Sequence, residues 1–255
     1  MSQSPLERAI YLPNQQSRIG VLLLHAYTGT PKDVNLIARE INRAGYGVVC
    51  PLFEGHWTSD IYDILAADPK DWLKNAQEAL NWLKNEGYEE ILVFGLSMGG
   101  IMATALLSDP ENHLLAGGVF NSPVVTTQPI DVSESFMAYA KFLYKGKKKL
   151  EQFEADKADI LTKHLAQVEK LDALKNSLAN QLSKIEVPFY IAQSGQDQLI
   201  EADDVFELQD ALINARIDFN WFPDNTHVIT VDRQRSDFEQ SVLHFIQETT
   251  YMKNS

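Results

Sequence analysis

Three residues in one chain order, Ser97, Asp197 and His227, could carry out acyl transfer. A serine hydroxyl attacks a carbonyl when a base removes its proton, and the base needs a carboxylate to fix its tautomer and orientation. Ser97 stands in Gly95-Leu96-Ser97-Met98-Gly99, directly after the apolar run Ile91-Leu92-Val93-Phe94 and directly before a helix-forming run. Strand, abrupt turn and helix hold such a serine in strained backbone with its hydroxyl clear of the sheet edge. Strand and helix cross closely there, which gives Gly95 and Gly99 a steric reason to be glycine. The five-residue motif is short enough to arise by chance, so its partners decide its meaning.

Of six histidines, four follow Ser97: His113, His164, His227 and His244. His113 falls in a polar turn, His164 in a helical stretch and His244 inside the closing helix. Only His227 lies in a loop directly after a predicted strand, and it is the candidate base. Asp197, in Gln193-Ser194-Gly195-Gln196-Asp197, follows another strand and is the candidate orienting acid. Asp203 and Asp204 compete, but their positions also suit a helix N-cap and first turn. Asp224 competes too, and a turn explains it equally well.

A tetrahedral oxyanion needs hydrogen-bond donors. The Met98 N–H, at the start of the helix after Ser97, is one candidate, favoured by the helix dipole. The Tyr27 N–H, in the loop His25-Ala26-Tyr27-Thr28-Gly29, is the other. His25 has no Cys, Asp or His neighbour at metal-ligand spacing, so it reads as a structural brace for that loop.

These residues need a scaffold that brings strand ends together. Apolar runs at 18–25, 46–51, 90–94, 115–121, 187–193 and 218–222 read as strands, the first in the manner of a strand buried on both faces. Helical patterns separate them, started by Thr30-Pro31 and Asp68-Pro69 and stopped by Gly45 and Gly87. The residues around Glu54-Gly55-His56-Trp57 and beyond read as a loop. A helix is expected over about 203–213 and a closing one over about 233–249. This alternation predicts an α/β fold with a mostly parallel sheet covered on both faces, functional residues at the strands' carboxyl ends. Residues 128–184 break the pattern: poor in strand formers, they read as three amphipathic helices over 136–143, 150–160 and 161–182. The expectation is one domain over 1–255 with this helical insertion as a lid. Phe136, Met137, Phe142, Leu143 and Tyr144 are its candidate acyl-pocket residues.

Bulk properties narrow the partners. With 255 residues, 45% hydrophobic and 22% charged, the chain is composed like a soluble globular protein. A formal net charge of -13 repels phosphate backbones and argues against nucleic acid. The lysine run at 145–149 reads as a solvated helix connection. A single cysteine, Cys50, forms no internal disulfide; it suits a reducing compartment and reads as a buried apolar residue. No run approaches a spanning helix, and residues 1–7 lack the pattern of a signal peptide, so a cytoplasmic location is expected.

With these pieces in place, the chain resembles the α/β-hydrolase superfamily, and within it small bacterial carboxylesterases related to monoacylglycerol lipases. The likeness is carried by residues 22–29, Gly95-Leu96-Ser97-Met98-Gly99-Gly100, the Asp197 loop, 226–232, the Glu54-Gly55-His56 loop and the helical insertion. It implies Ser97 as nucleophile, His227 as base, Asp197 as orienting acid, Tyr27 and Met98 as oxyanion donors, and no metal or organic cofactor. Two departures stand out: Ala26 where the family usually has glycine after His25, and Trp57 where it often has glycine after His56. The reaction expected is hydrolysis of short- or medium-chain carboxylic esters, monoacylglycerols included, through an acyl-enzyme. Acyltransfer, thioester and lyase chemistry use the same triad, and a non-catalytic binding protein on this fold normally lacks one of its members.

Overall fold

The computed structural model describes residues 4–253; residues 1–3 of the N-terminal stretch read above lie outside the described residues. Seven strands form one sheet in the order β1-β3-β2-β4-β5-β6-β7. They are β1 (Ile10–Leu12), β2 (Ile19–Leu24), β3 (Gly47–Cys50), β4 (Glu90–Leu96), β5 (Ala116–Phe120), β6 (Phe189–Ser194) and β7 (Ile217–Phe222). All neighbours pair in parallel except β1, which runs antiparallel to β3.

The continuous apolar strands arise because both sheet faces are covered. On β2, Leu22 and Leu24 enter one core cluster while Val21 and Leu23 enter the other. β4 divides the same way, Ile91 and Val93 against Leu92, Phe94 and Leu96. A period of two thus survives inside runs with no polar residue to mark it. The second cluster includes the closing helix α8 (Ser236–Lys253), through Phe238, Val242, Phe245 and Ile246, and α1 (Asn35–Arg43), through Ile37, Ala38 and Ile41. The first includes α2 (Ile61–Ala66), α3 (Pro69–Asn85), α4 (Met98–Leu107), α7 (Asp204–Ala211) and the insertion.

Helix boundaries follow the capping chemistry. Thr30 and Asp33 form a capping box over a 3-10 turn that leads into α1, and Asp68 and Asp71 form another at the start of α3. Gly45 and Gly87, at φ +107° and +94°, carry the chain out of α1 and α3.

The strand order reverses between β2 and β4. After β2 the chain moves outward to β3; after returning to β4 it moves the other way through β5, β6 and β7. In open parallel sheets a switch point of this kind is where ligands bind, and here it falls at the carboxyl edge between the loop after β2 and the turn after β4. Leu24 pairs with Gly95, so the His25–Gly29 and Ser97 segments leave the sheet side by side.

The insertion departs from the sequence reading. It contains two helices, α5 (Ser133–Gly146) and the 30-residue α6 (Leu150–Ala179), where three were expected. Nothing between 150 and 179 is glycine or proline, so no residue breaks the helix near 160. β1 and α2 were not anticipated either: three and six residues are too short for a periodic signal. Among the described residues, no helix is long and apolar enough to cross a membrane.

Candidate functional site

Ser97 occupies the turn between β4 and α4 at φ +53°, ψ -121°, outside the comfortable regions for a side-chain-bearing residue. Three bonds around the turn hold it there. Its N–H donates to Phe120 O (2.9 Å), its carbonyl accepts from Gly100 N (2.8 Å), and the Ser122 hydroxyl donates to the same carbonyl (2.7 Å). A Cβ on Gly95 would collide with the Gly99 carbonyl, and one on Gly99 with the carbonyls of Leu24 and His25. The two glycines are therefore needed for the crossing that the turn demands.

His227 Nε2 lies 2.9 Å from Ser97 Oγ, and its Nδ1 lies 2.7 Å and 2.9 Å from the two oxygens of Asp197. A carboxylate only accepts, so Nδ1–H donates to Asp197 and the Nε2 lone pair is left for the serine hydroxyl. Both partners are shielded from water: the His227 side chain is 3% exposed and that of Asp197 0%. Asp197 Oδ1 also accepts the Leu199 and Ile200 N–H groups, at 2.9 and 3.1 Å. These two amides compensate a buried carboxylate that one imidazole would leave short of donors.

Among the described residues, none of the competing acids bonds to His227. Asp204 accepts from the Thr127 hydroxyl (2.9 Å) and N–H (3.2 Å), and Asp224 is exposed. Asp203 holds the N-cap position of α7, yet its side chain makes no capping bond. Among the other histidines, His113 is exposed, His244 pairs with Glu248 on α8, and His164 is buried in α6.

The two candidate oxyanion donors stand on either side of the switch point, one after β2 and one after β4. Met98 is the first residue of α4, whose opening N–H groups have no partner within the helix. The Tyr27 N–H has no protein acceptor among the described hydrogen bonds. Its loop is braced as expected by His25, which is fully buried: Nδ1–H donates to Ala26 O (2.8 Å) and Nε2 accepts from Phe53 N (3.1 Å). Burial, with the neighbouring His56 adding, keeps the His25 pKa well below its usual value, so the brace stays neutral. From the other side, Asp33 accepts the Thr30 N–H at 3.1 Å, and burial raises its pKa to about 6. His56 packs beneath the loop, 5.0 Å from His25 and 5.5 Å from Trp72 between ring centroids. Trp57, at φ +53°, lies under the Arg8 guanidinium at 4.0 Å. The departure at Trp57 thus pins the loop that carries His56 to Arg8.

Two supporting residues gave no sequence signal. Asn121, fully buried at the end of β5, donates to the carbonyls of His227 (2.7 Å) and Thr226 (3.2 Å) and to Ser194 Oγ (2.8 Å). It also accepts the Ser194 N–H at 2.7 Å. Gln198 Oε1 accepts the His227 N–H at 3.2 Å. Asn121 ties the His227 loop to the sheet, and Gln198 ties it to the Asp197 loop. A strand-ending asparagine and a loop glutamine look ordinary without the loops they fasten.

The proposed acyl pocket needs correction at two positions. Phe142 is 68% exposed, and the Tyr144 hydroxyl donates to Asp156 (2.7 Å) while its ring packs on Phe153. Phe136 is buried and stacks on Tyr27, with centroids 5.5 Å apart. A cleft of about 590 Å³ opens beside Asp197, but its rim includes Asp131, Glu201, Asp203 and Asp204, and it does not include Ser97.

Residues 15–176 match the family described as serine aminopeptidase, S33, within the hydrolases. The chain belongs to this α/β-hydrolase family. The chain is thereby a serine hydrolase. It is 27% identical over 230 residues to a carboxylesterase of Bacillus subtilis (strain 168), covering 89% of this chain and 92% of that one. Over a shorter stretch of 95 residues it is 38% identical to a thermostable monoacylglycerol lipase of Bacillus sp. (strain H-257), 37% of this chain and 36% of that one. Among solved structures, one from a study of two metagenome-derived lipolytic enzymes, LipS and LipT, superposes with a TM-score of 0.75 at 19% identity. It covers 96% of this chain and 98% of that one. The Pyrococcus furiosus esterase Pf2001 gives 0.64 at 18% identity, covering 94% and 86%. At such identities the structural likeness speaks for the fold.

Proposed function

We propose that the protein is a carboxylesterase that cleaves short- to medium-chain carboxylic esters, monoacylglycerols among them, through an acyl-enzyme. The observation that carries this reading is the unbroken line from Ser97 Oγ through His227 to the buried Asp197 carboxylate. The carboxylesterase and lipase relatives support the ester as the bond attacked.

As the Ser97 oxygen attacks the ester carbonyl, its proton passes to His227 Nε2 and Asp197 stabilises the imidazolium. The carbonyl oxygen becomes an oxyanion between the Tyr27 and Met98 N–H groups. Collapse expels the alcohol, which takes the proton from Nε2 and leaves the acyl group on Ser97. Water then repeats the sequence: His227 takes its proton, the hydroxide oxygen adds to the acyl carbon, and collapse returns the proton to Ser97 and frees the acid. Met137, Tyr139 and Leu143, partly buried against the core that holds Met98 and Phe136, give the insertion apolar surface for a modest acyl chain. The chain is read as one domain with the insertion as its lid. The setting is read as cytoplasmic on its cysteine usage, one cysteine and hence no internal disulfide.

Ser97→Ala is expected to lower turnover of p-nitrophenyl butyrate by about 10⁴-fold or more while leaving the circular dichroism spectrum unchanged. A fluorophosphonate should label Ser97 alone, seen by peptide mass spectrometry. Wild-type turnover in the alanine variant overturns the reading, and a panel of graded acyl lengths tests the chain preference.

A further inference from the structure

Beyond its backbone, Tyr27 is held by the insertion. Its hydroxyl lies 2.6 Å from Gln167 Oε1 and 3.2 Å from His164 Nδ1, both on α6, and its ring stacks on Phe136 of α5. Gln167 is buried, and its amide donates to the carbonyls of Ile64 (2.6 Å) and Ala67 (2.7 Å), at the end of α2 and just past it. The proton positions follow. Both Gln167 N–H bonds are committed to those carbonyls, so Oε1 accepts, and the Tyr27 O–H donates to it. The phenol's single hydrogen is then used, so His164 Nδ1–H donates to the Tyr27 oxygen. His164 Nε2 is left as a buried lone pair without a partner, and burial lowers the ring's pKa to about 4, which keeps this tautomer neutral.

We infer that α6 positions the oxyanion loop, with Gln167 and His164 acting through the Tyr27 hydroxyl to fix the Tyr27 N–H against the Ser97 turn. The inference rests on the proposed role of that N–H. His25 and Asp33 clamp the loop through its backbone, whereas the Tyr27 hydroxyl bonds to α6. Thr28 follows at φ +58°, a left-handed conformation that a β-branched residue keeps only when its neighbours are fixed. The insertion is therefore part of the catalytic geometry as well as a cover. Gln167 and His164 touch no reacting atom; they are positioning residues.

Tyr27→Phe removes one hydroxyl and keeps the ring and the backbone. Acylation and deacylation both pass through an oxyanion, so loosening its donor slows both and leaves KM nearly unchanged. We expect kcat for p-nitrophenyl acetate to fall about 10-fold in Tyr27→Phe and in Gln167→Met, with KM within about two-fold. The double variant should be no worse than about the poorer single one, because both break the same linkage. A trifluoromethyl ketone, which forms an oxyanion on the serine, should lose affinity in step with kcat/KM. Loss of mere lid docking would instead raise KM and leave that correlation absent. Should Gln167→Met fail to fold, Tyr27→Phe alone carries the test. Unchanged kcat and ketone affinity in Tyr27→Phe, with Ser97→Ala inactive, overturn this inference and leave the esterase reading standing; an active Ser97→Ala overturns both.

Discussion

Asn121 offers the sharpest test of how the histidine loop is held. Its side-chain amide continues the hydrogen-bond ladder past the end of β5, taking the Ser194 N–H and giving to the His227 and Thr226 carbonyls. Its backbone sits at φ +44°. In Asn121→Ala the Ser194 N–H loses its acceptor in a buried site, at a cost of about 1–3 kcal/mol. Alanine in the left-handed region adds about 1–2 kcal/mol, and the loss of bonds to the two carbonyls adds a smaller amount. The sum is roughly 3–5 kcal/mol, a large share of the stability of an ordinary domain. Urea unfolding, followed by tryptophan fluorescence, should show a lower midpoint with an unchanged slope. Asn121→Gly loses the same bonds without the left-handed penalty and should be more stable than the alanine variant by about 1 kcal/mol. In both, kcat should fall at least about 10-fold, because the His227 imidazole is no longer fixed relative to Ser97. An Asn121→Ala protein that unfolds within 0.5 kcal/mol of wild type, a margin about equal to the scatter of surface substitutions, would refute the reasoning. A glycine variant no better than alanine would refute the part that rests on backbone conformation.

Two further outcomes follow from the same geometry. Buried neutral His25, His56 and His164 have native pKa values below 6.5, those of His56 and His164 at about 4, so the unfolded chain gains protons that the native state refuses as pH falls from 6.5. Asp33, raised to about 6, works oppositely, binding a proton in the native state before the unfolded one does. Three histidines outweigh one carboxyl, so stability should fall as the pH drops from about 6 to 4, measurable by urea titration across that window; a flat profile contradicts it. Gly99→Ala should prevent the crossing of α4 over the loop after β2, since its Cβ meets two backbone carbonyls; a stable variant with wild-type turnover would show that the crossing tolerates a side chain.

Ser97, Asp197 and His227 were legible because each follows a strand, and strand ends in a parallel sheet share one edge. The insertion was less so. The buried stripe of α6 runs through Phe153, Ile160, His164, Gln167, Val168, Leu171, Lys175 and Leu178. Polar residues interrupt its apolar seam, so no continuous stripe marks it as one helix. Those same polar residues make long-range bonds: His164 and Gln167 to Tyr27, and Lys175 to Thr126 (2.5 Å) with Asp172 beside it (2.8 Å). A buried polar residue looks like a break in the pattern until its partner is known, and the partner lies far away in sequence. Phe142 failed in the opposite sense: its type suggests burial, while its place on α5 leaves it in solvent.

The reversal of strand order between β2 and β4 also has a consequence in time. The Ser97 turn and the Tyr27 loop become neighbours only when β2 and β4 pair, and the Ser97–His227 bond closes a separation of 130 residues. Such distant contacts form late, after much chain entropy has been lost. No nascent fragment that ends before β7 contains the site at all. A chain emerging from synthesis would thus acquire its helices and much of its sheet while chemically inert, and would begin to turn over substrate only when its last loop had closed.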